Sequence, residues 1–152
     1  MAIATFGAGC FWGVELTFSK LPGVTATSVG YMGGHKDDPT YREVCTDTTG
    51  HAEVVQVEYD SERIQYERLL ATFFQSHDPT QYNRQGPDVG SQYRSVIFYH
   101  DDIQKASAAS MIKELKIALP VATKLEEAGE YWLAEEYHQK YLEKKGASSC
   151  GI

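Results

Sequence analysis

The sequence predicts an α+β fold, in which helices pack on a mixed, mostly antiparallel sheet as a two-layer sandwich. The segment order, roughly β-α-β-β-α-β-α, supports this because strands do not strictly alternate with helices. A purely parallel, doubly wound sheet fits that order less well. Of the 152 residues, 42% are hydrophobic and 23% are charged, which is typical of a globular chain with a real core. No linker or internal repeat interrupts the chain, so we expect one domain over residues 1–152.

The first elements follow from local sequence patterns. Residues 2–8 predict a short strand, and residues 11–20 predict a helix with one apolar face. Pro22 and Gly23 then mark a turn. The β-branched and small residues of 24–31 indicate a second strand.

The middle of the chain mixes regular and irregular segments. Residues 32–50 predict a loop, and residues 51–59 alternate in the manner of a strand. Residues 62–76 carry a helical stripe of apolar side chains, with Ser61 as the predicted N-cap. Residues 77–92 are polar and irregular, and we predict a long loop there.

The last third predicts two more helices. Residues 93–99 indicate a strand and residues 102–118 a helix, and a short edge strand is expected near Val121. Residues 133–145 predict the final helix, and a mobile tail is expected from about residue 146. Together these elements predict a ferredoxin-like core.

Charge and hydropathy narrow the class of partner. The net charge of −7 and the pI of about 5.2 argue against nucleic acid or an anionic membrane, since both bind cationic surfaces. No apolar run approaches the ~18 residues of a membrane span. Nothing at the N-terminus has the pattern of an export signal, so the expected location is cytoplasmic.

Three cysteines, Cys10, Cys45 and Cys150, are too few and too odd in number for a structural disulfide framework. In a reducing compartment such thiols are more often catalytic or metal-binding. The five histidines are scattered, and no tight ligand spacing predicts zinc. No phosphate-binding glycine loop follows a strand, so no cofactor is expected.

Cys10 is the first candidate for chemistry because it lies where the first strand meets the first helix. Unpaired N–H groups and partial positive charge at a helix N-terminus stabilise a thiolate. Cys10 could instead be a small buried hydrophobe. The aromatic residues that follow, Phe11 and Trp12, could be core residues, or they could receive a thioether or its oxide.

Glu53 is the candidate acid. In the strand over residues 51–59, alternation places Glu53 on the face shared by Val55 and Val57. A desolvated carboxyl there would have a raised pKa and could donate a proton near neutrality. The alternative is a strand-end glutamate in solvent or in a salt bridge. The loop over residues 77–92 likewise predicts either a functional segment or one held together by its own hydrogen bonds.

Four segments together resemble the peptide methionine sulfoxide reductases of the A type. They are GCFWG at 9–13, GYMGGHKDDPTYREVC at 30–45, TGHAEVV at 49–55 and HDPTQYNRQGPDVGSQYRS at 77–95. The resemblance extends from about residue 3 to residue 144. It implies a two-layer α+β sandwich and reduction of methionine sulfoxide, with preference for the S epimer.

The resemblance also implies a role for each matching residue. Cys10 would attack the sulfoxide sulfur and become a sulfenic acid, while Glu53 protonates the oxygen. The remaining site residues implied are Tyr41 and Tyr93, which would hydrogen-bond the oxygen; Asp88, which would organise the polar side; and Phe11 and Trp12, which would hold the methyl group.

Recycling is expected to use Cys150, which would form a disulfide with Cys10 that thioredoxin reduces. Several members of the family carry two tail cysteines or a longer glycine-rich tail, so a two-step relay is not expected here. Cys45 is interpreted as structural. The expected substrates are oxidised proteins or peptides and free methionine sulfoxide, and the expected state is a monomer.

Three other functions fit parts of the pattern. A thiol hydrolase or transferase would need a histidine to activate Cys10, and His51 is the candidate near the motifs. A binding module would grip native or oxidised methionine without turnover. A redox sensor would use a Cys10–Cys150 disulfide to change partner contacts.

Overall fold

The computed structural model describes residues 2–115 and 120–145. The strands are β1 (Ala2–Ala8), β2 (Val24–Met32), β3 (Ala52–Tyr59), β4 (Arg84–Gln85), β5 (Asp88–Val89), β6 (Ser95–Tyr99), β7 (Lys124–Glu127) and β8 (Trp132–Leu133). The helices are α1 (Phe11–Ser19), α2 (Tyr41–Cys45), α3 (Tyr66–Gln75), α4 (Asp102–Glu114) and α5 (Tyr141–Lys144).

Six strands form one sheet in the order β7-β6-β1-β3-β2-β8, and β4 and β5 form a separate hairpin. All neighbours in the large sheet are antiparallel except β6 and β7. The segments β1-α1-β2 and β3-α3-β6 are the two halves of a ferredoxin-like core, with central order β6-β1-β3-β2. The predicted α+β fold class is confirmed, and solved structures of the same architecture are described below.

The two faces of the sheet bury different side chains. Phe6 of β1, Val55 of β3 and Ile97 of β6 lie in the large cluster that also contains the apolar faces of α1, α3 and α4. Val54 and Phe98 point to the opposite face, where Ala128 and Tyr131 help cover them. Helices therefore cover one face and an irregular C-terminal segment contributes to covering the other.

The helix predicted over residues 62–76 begins later than expected. Its first residue is Tyr66 and its N-cap is Gln65, so the prediction of Ser61 as N-cap is wrong. Asp60 accounts for the difference, because its side chain accepts a hydrogen bond from the backbone N–H of Glu62 and its carbonyl from those of Arg63 and Ile64. This local turn occupies the residues that would have formed the first helical turn.

The helix predicted over residues 133–145 is also wrong. The chain forms β8, then a 3-10 helix at Glu136–His138, and only then the four-residue helix α5. The physical reason is that side chains of this segment bond to distant strands. The Gln139 amide, for example, accepts from the backbone N–H of Val29 and donates to its carbonyl, at 2.9 Å each.

Other boundaries differ by smaller amounts. The loop predicted over residues 32–50 contains α2, and the strand predicted over residues 93–99 begins at Ser95 after a 3-10 turn. The edge strand expected near Val121 is β7, a few residues further on. Residues 116–118 of the predicted fourth helix and the tail from 146 lie outside the described residues. Within the described ranges, every helix is too short or too polar to cross a membrane.

Candidate active site

Cys10 is the N-cap residue of α1 and is partly exposed, directly after the end of β1. The tight junction depends on Gly9, whose φ of +93° lies in the left-handed region that favours glycine. A Cβ on Gly9 would also stand 2.9 Å from Cβ and Cγ of Gln85. The junction therefore lets the β4–β5 hairpin pack directly against the backbone beside the thiol.

Glu53 lies beside Cys10 because β3 pairs antiparallel with β1. Its side chain is 1% exposed, and Oε1 accepts a hydrogen bond from the backbone N–H of Phe11 at 3.3 Å. Among the described residues, Oε2 has no hydrogen-bond partner. Burial raises the pKa of Glu53 to about 8, the Phe11 N–H opposes this, and the charge of Asp88 adds to it. Of the two positions that the sequence left open for Glu53, the buried face and the solvent-exposed strand end, the structure has the buried one.

Tyr41 and Tyr93 lie on two separate short elements near Glu53. Tyr41 opens α2, whose N-terminus is held by a capping box between Thr40 and Glu43. Tyr93 ends the 3-10 turn at Ser91–Tyr93. Burial, and secondarily the charge of Glu53, raises the pKa of both hydroxyls, so both remain hydrogen-bond donors over the working pH range.

Two hydrogen bonds tie the tyrosine-bearing segments together. Both the hydroxyl and the backbone N–H of Ser91 donate to one carboxylate oxygen of Asp47, which lies just after α2. Burial raises the pKa of the Cys45 thiol, and the nearby Tyr41 and Tyr93 hydroxyls act against this rise. The interpretation of Cys45 as structural stays a prediction, although this residue is closer to the candidate site than the sequence indicated.

Asp88 belongs to β5, the second strand of the small hairpin, and is half-buried. The loop that carries it is extensively self-bonded. The Gln85 amide both accepts from the backbone N–H of Asp78 and donates to its carbonyl, and the Gly90 N–H donates to the Asn83 carbonyl. The loop over residues 77–92 is thus held by its own hydrogen bonds, and its functional interpretation stays a prediction. Asp88 in the loop and Tyr93 directly after it both lie near Glu53.

The aromatic pair divides into a buried and a half-buried member. Phe11 is 1% exposed, and its ring lies 6.2 Å from that of Tyr41, whereas Trp12 is partly exposed. The Trp12 indole stacks on Tyr141 at 4.0 Å between ring centroids. Phe11 is thus both a core residue and the donor of the N–H that holds Glu53.

His138 is a site neighbour that sequence reasoning missed. Its Nδ1 accepts a hydrogen bond from the Trp12 indole N–H at 2.9 Å, and its ring lies 4.2 Å from that of Tyr41. Glu135, three residues earlier, accepts from the backbone N–H of Tyr41 and from the Tyr31 hydroxyl, at 2.8 Å each. The segment around His138 is polar and aromatic and has no periodic apolar pattern. Apart from the histidine itself, the sequence therefore contains no sign that this segment lies at the site.

Both ring nitrogens of His51 are occupied by backbone hydrogen bonds, so His51 is not available as a base for Cys10. Its Nδ1 accepts from the Gly34 N–H at 3.0 Å, and its Nε2 donates to the Lys36 carbonyl at 2.7 Å. With both ring nitrogens bonded to backbone, His51 fixes the loop after β2. The hydrolase hypothesis loses its candidate base.

Cys150 and a metal site are the remaining sequence-based expectations. Cys150 lies outside the described residues. In the described ranges, no group of three or more His, Cys, Asp or Glu side chains could hold a metal ion. The described residues bring four groups together: a thiol at a helix start, a carboxyl whose raised pKa favours its protonated form, two hydroxyl donors and an aromatic surface. Such a set has the groups that an enzyme with a cysteine nucleophile and a general acid requires.

Comparison with known proteins identifies the class more closely. The family model described as peptide methionine sulfoxide reductase matches residues 2–152. A peptide methionine sulfoxide reductase MsrA of Acidobacterium capsulatum is 55% identical, with all of both chains covered. Reduced Mxr1 of Saccharomyces cerevisiae superposes with a TM-score of 0.91 at 39% identity, over 95% of this chain and 86% of that one. Mxr1 in complex with Trx2 gives a TM-score of 0.66 at 26% identity, over 92% and 84%. The chain belongs to the peptide methionine sulfoxide reductase family, A type, and is an oxidoreductase.

Proposed function

We propose that this enzyme reduces methionine S-sulfoxide, free or peptide-bound, by attack of the Cys10 sulfur on the sulfoxide sulfur while Glu53 protonates the oxygen. The observation that carries the proposal is the state of Glu53. It is buried beside Cys10, its pKa is raised to about 8, and one carboxyl oxygen has no partner in the described chain. A carboxyl that is largely protonated at neutral pH is the donor that a poor electrophile such as a sulfoxide requires.

The two carboxyl oxygens of Glu53 have different roles in this proposal. Oε1 accepts from the Phe11 N–H, so the acid proton belongs on Oε2, which has no competing partner among the described residues. When Oε2 gives its proton to the sulfoxide oxygen, the carboxylate keeps its bond to the helix N-terminus. That contact stabilises the developing negative charge.

Tyr41 and Tyr93 would hold the sulfoxide oxygen as it gains charge. Their raised pKa values keep both hydroxyls protonated, and their positions on two linked segments make them fixed donors. Asp88 acts at a distance, since its charge helps keep Glu53 protonated. Phe11 and Trp12 would contact the methyl group and exclude water.

The return of Cys10 to its thiol form requires a second thiol. Reduction of the sulfoxide releases methionine and leaves Cys10 as a sulfenic acid. Attack of the Cys150 thiol on that sulfur would form a disulfide and release water, and thioredoxin would reduce the disulfide. The structure of Mxr1 with Trx2 supports this choice of reductant.

The position of α5 supports the choice of Cys150. Tyr141, the first residue of α5, stacks on Trp12, the second residue after Cys10. From Lys145, the last residue described before the tail, five residues lead to Cys150, a reach of roughly 17 Å when fully extended. We further propose that the chain acts in the cytoplasm as a single-domain monomer, without cofactor, nucleic acid or membrane.

A single-turnover experiment tests the proposal. Fully reduced enzyme is mixed with a racemic peptide methionine sulfoxide in the absence of any reductant, and methionine is counted per chain. About one equivalent, from the S epimer alone, is expected, because one nucleophile and one resolving thiol supply two electrons. About two equivalents would mean that Cys45 also takes part. No product would overturn the mechanism. The Cys10→Ser variant should bind the sulfoxide but form no methionine, whereas a binding module would form no methionine with or without Cys10.

A further inference from the structure

His138 lies in the middle of the aromatic cluster, yet the proposed reaction gives it no role. Its side chain is 1% exposed. The ring centroid lies 4.2 Å from that of Tyr41, 5.3 Å from Phe11 and 5.6 Å from Trp12. These three neighbours are residues to which the proposed function assigns substrate contacts. A change at His138 would therefore alter the position of the side chains that line the substrate pocket.

The hydrogen bond to Trp12 determines the tautomer of His138. An indole N–H can only donate, so Nδ1 of His138 must accept and the ring proton must be on Nε2. Burial lowers the pKa of His138, which keeps Nδ1 unprotonated and able to accept, although the charge of Glu135 opposes this. Nε2 is buried and has no partner among the described residues.

A buried histidine whose Nε2 has no partner among the described residues does not favour the stability of the fold. A buried donor without a partner costs free energy that an apolar side chain of similar volume would not. Trp12 is partly exposed, so its indole N–H could bond to water if His138 were absent. What His138 adds is a fixed direction for the indole.

The segment on both sides of His138 is held by hydrogen bonds to α2, β2 and α1, so the ring cannot follow a moving indole. Glu135 accepts from the Tyr41 N–H, and Gln139 pairs with the backbone of Val29. The backbone N–H of Lys140 donates to the buried carboxylate of Glu15 on α1, at 2.7 Å. We call residues 135–141 the strap, because they lie across the aromatic end of the site.

We propose that His138 is a positioning residue which fixes the Trp12 indole as one wall of the substrate pocket, and that it thereby sets the preference for a methyl sulfoxide over bulkier alkyl sulfoxides. The inference rests on the proposed contact between Trp12 and the methyl group. Stacking on Tyr141 holds the plane of the indole, but parallel rings can still slide and rotate in that plane. The hydrogen bond to Nδ1 removes this freedom, so the wall keeps one distance from the sulfur.

Two variants separate the hydrogen bond from the volume of the ring. His138→Leu removes the acceptor, whereas His138→Asn keeps one, since its Oδ1 can occupy the position of Nδ1. The measurement is kcat and KM for the S-sulfoxides of N-acetylmethionine and N-acetylethionine, which differ by one methylene. We expect His138→Leu to reduce the preference for the methyl substrate about 10-fold, the typical value of a methylene in a shaped pocket, and His138→Asn to restore most of it.

Two further measurements exclude a merely structural role. The indole N–H signal of Trp12 in 1H–15N spectra, assigned in a Trp132→Phe background, should move toward that of a water-bonded indole in His138→Leu and stay near its original position in His138→Asn. The rate of Cys10 alkylation by iodoacetamide should be unchanged in both variants. If His138→Leu does not fold, His138→Phe replaces it, because phenylalanine fills the same space without an acceptor.

The outcomes distinguish this inference from the proposal beneath it. Unchanged substrate preference in His138→Leu, or equal loss in His138→Leu and His138→Asn, overturns the role of His138. Trp12→Phe is measured in parallel. If Trp12→Phe also leaves kcat/KM for the methyl substrate unchanged, the proposed contact of Trp12 with substrate fails. If Trp12→Phe lowers this kcat/KM but the His138 variants do not, Trp12 contacts the substrate and His138 does not position the Trp12 indole.

Discussion

The start of the chain and the strap reach the same site by opposite means. Over β1, α1, β2 and β3, regular hydrogen-bonded structure places Cys10 and Glu53, and most residues of the three strands are buried on both faces of the sheet. The strap has little regular structure, and hydrogen bonds between side chains and distant backbone groups hold it in place. The difference shows that regular strand pairing can position a reacting pair, while the surface that recognises a substrate can depend on individual contacts.

The largest expected effect falls on the regular region. Glu53→Gln removes the acid but keeps the shape and the acceptor for the Phe11 N–H, so the single-turnover reductase step should slow by about 10²–10⁴-fold. Glu58→Gln is the matched control, because Glu58 is on the same strand but exposed on the other face. Rapid-quench measurement of methionine formation checks both, and equal rates for Glu53→Gln and the parent enzyme would remove Glu53 from the mechanism.

The same carboxyl makes stability depend on pH. Below about pH 4.5 Glu53 is protonated in both the folded and the unfolded chain, so it has no differential effect. As pH rises from there to about 8, the unfolded chain loses this proton first, and the folded state loses stability. Relative to the parent, Glu53→Gln should therefore gain about 3 kcal/mol between pH 5 and pH 8. Urea unfolding at several pH values measures this, and parallel curves for the two proteins would contradict it.

In the strap, single contacts should matter more than helix propensity. Gln139→Leu removes the partners of the Val29 N–H and of the Ala134 carbonyl, so it should lower the free energy of unfolding by about 2–3 kcal/mol. Gln75→Leu, at an exposed position at the end of α3, is the control and should change little. Urea midpoints give the comparison. If Gln139→Leu lowers the free energy of unfolding no more than Gln75→Leu does, the strap is held in place by its aromatic contacts rather than by the Gln139 hydrogen bonds.

The smallest effect is expected at the junction before Cys10. Gly9→Ala would place a Cβ at positive φ and against Gln85, and should cost about 1–2 kcal/mol. Gly129→Ala is the control, since nothing lies within 4 Å of the position of its added Cβ. Thermal unfolding of the two variants tests the comparison, and a Gly9→Ala protein as stable as Gly129→Ala would show that the hairpin yields easily.

The regular region could be predicted because its signals are local. The boundaries of β1, α1, β2 and β3 lie within one residue of those expected. The alternation of β3 placed Glu53 on the face of Val55 and Val57, but it left open a strand-end position in solvent, and the structure decides for the buried position. Tyr41, Tyr93 and Asp88 came from the family resemblance rather than from any period, because each lies on an element of five residues or fewer.

The strap could not be predicted because its determinants are remote. The helix expected over residues 133–145 has adequate helix propensity, but bonds from Glu135 and Gln139 to residues about 100 positions away prevail over it. The contact of His138 with Trp12 spans 126 positions and joins two side chains, so it leaves no trace in local spacing. At residue 61 the error had a nearer cause, since the Asp60 turn competed with the N-cap.

The strand order has a consequence for how the enzyme fails under mild stress. β1 and β3, which lead to Cys10 and carry Glu53, are neighbours in the middle of the sheet, while β8, which leads into the strap, is a two-residue edge strand. Sheets fray from their edges, so amide exchange should be fastest around β8 and slowest in β1 and β3. A warmed enzyme would then become less selective before it becomes inactive, accepting poorer substrates with a reacting pair that is still intact.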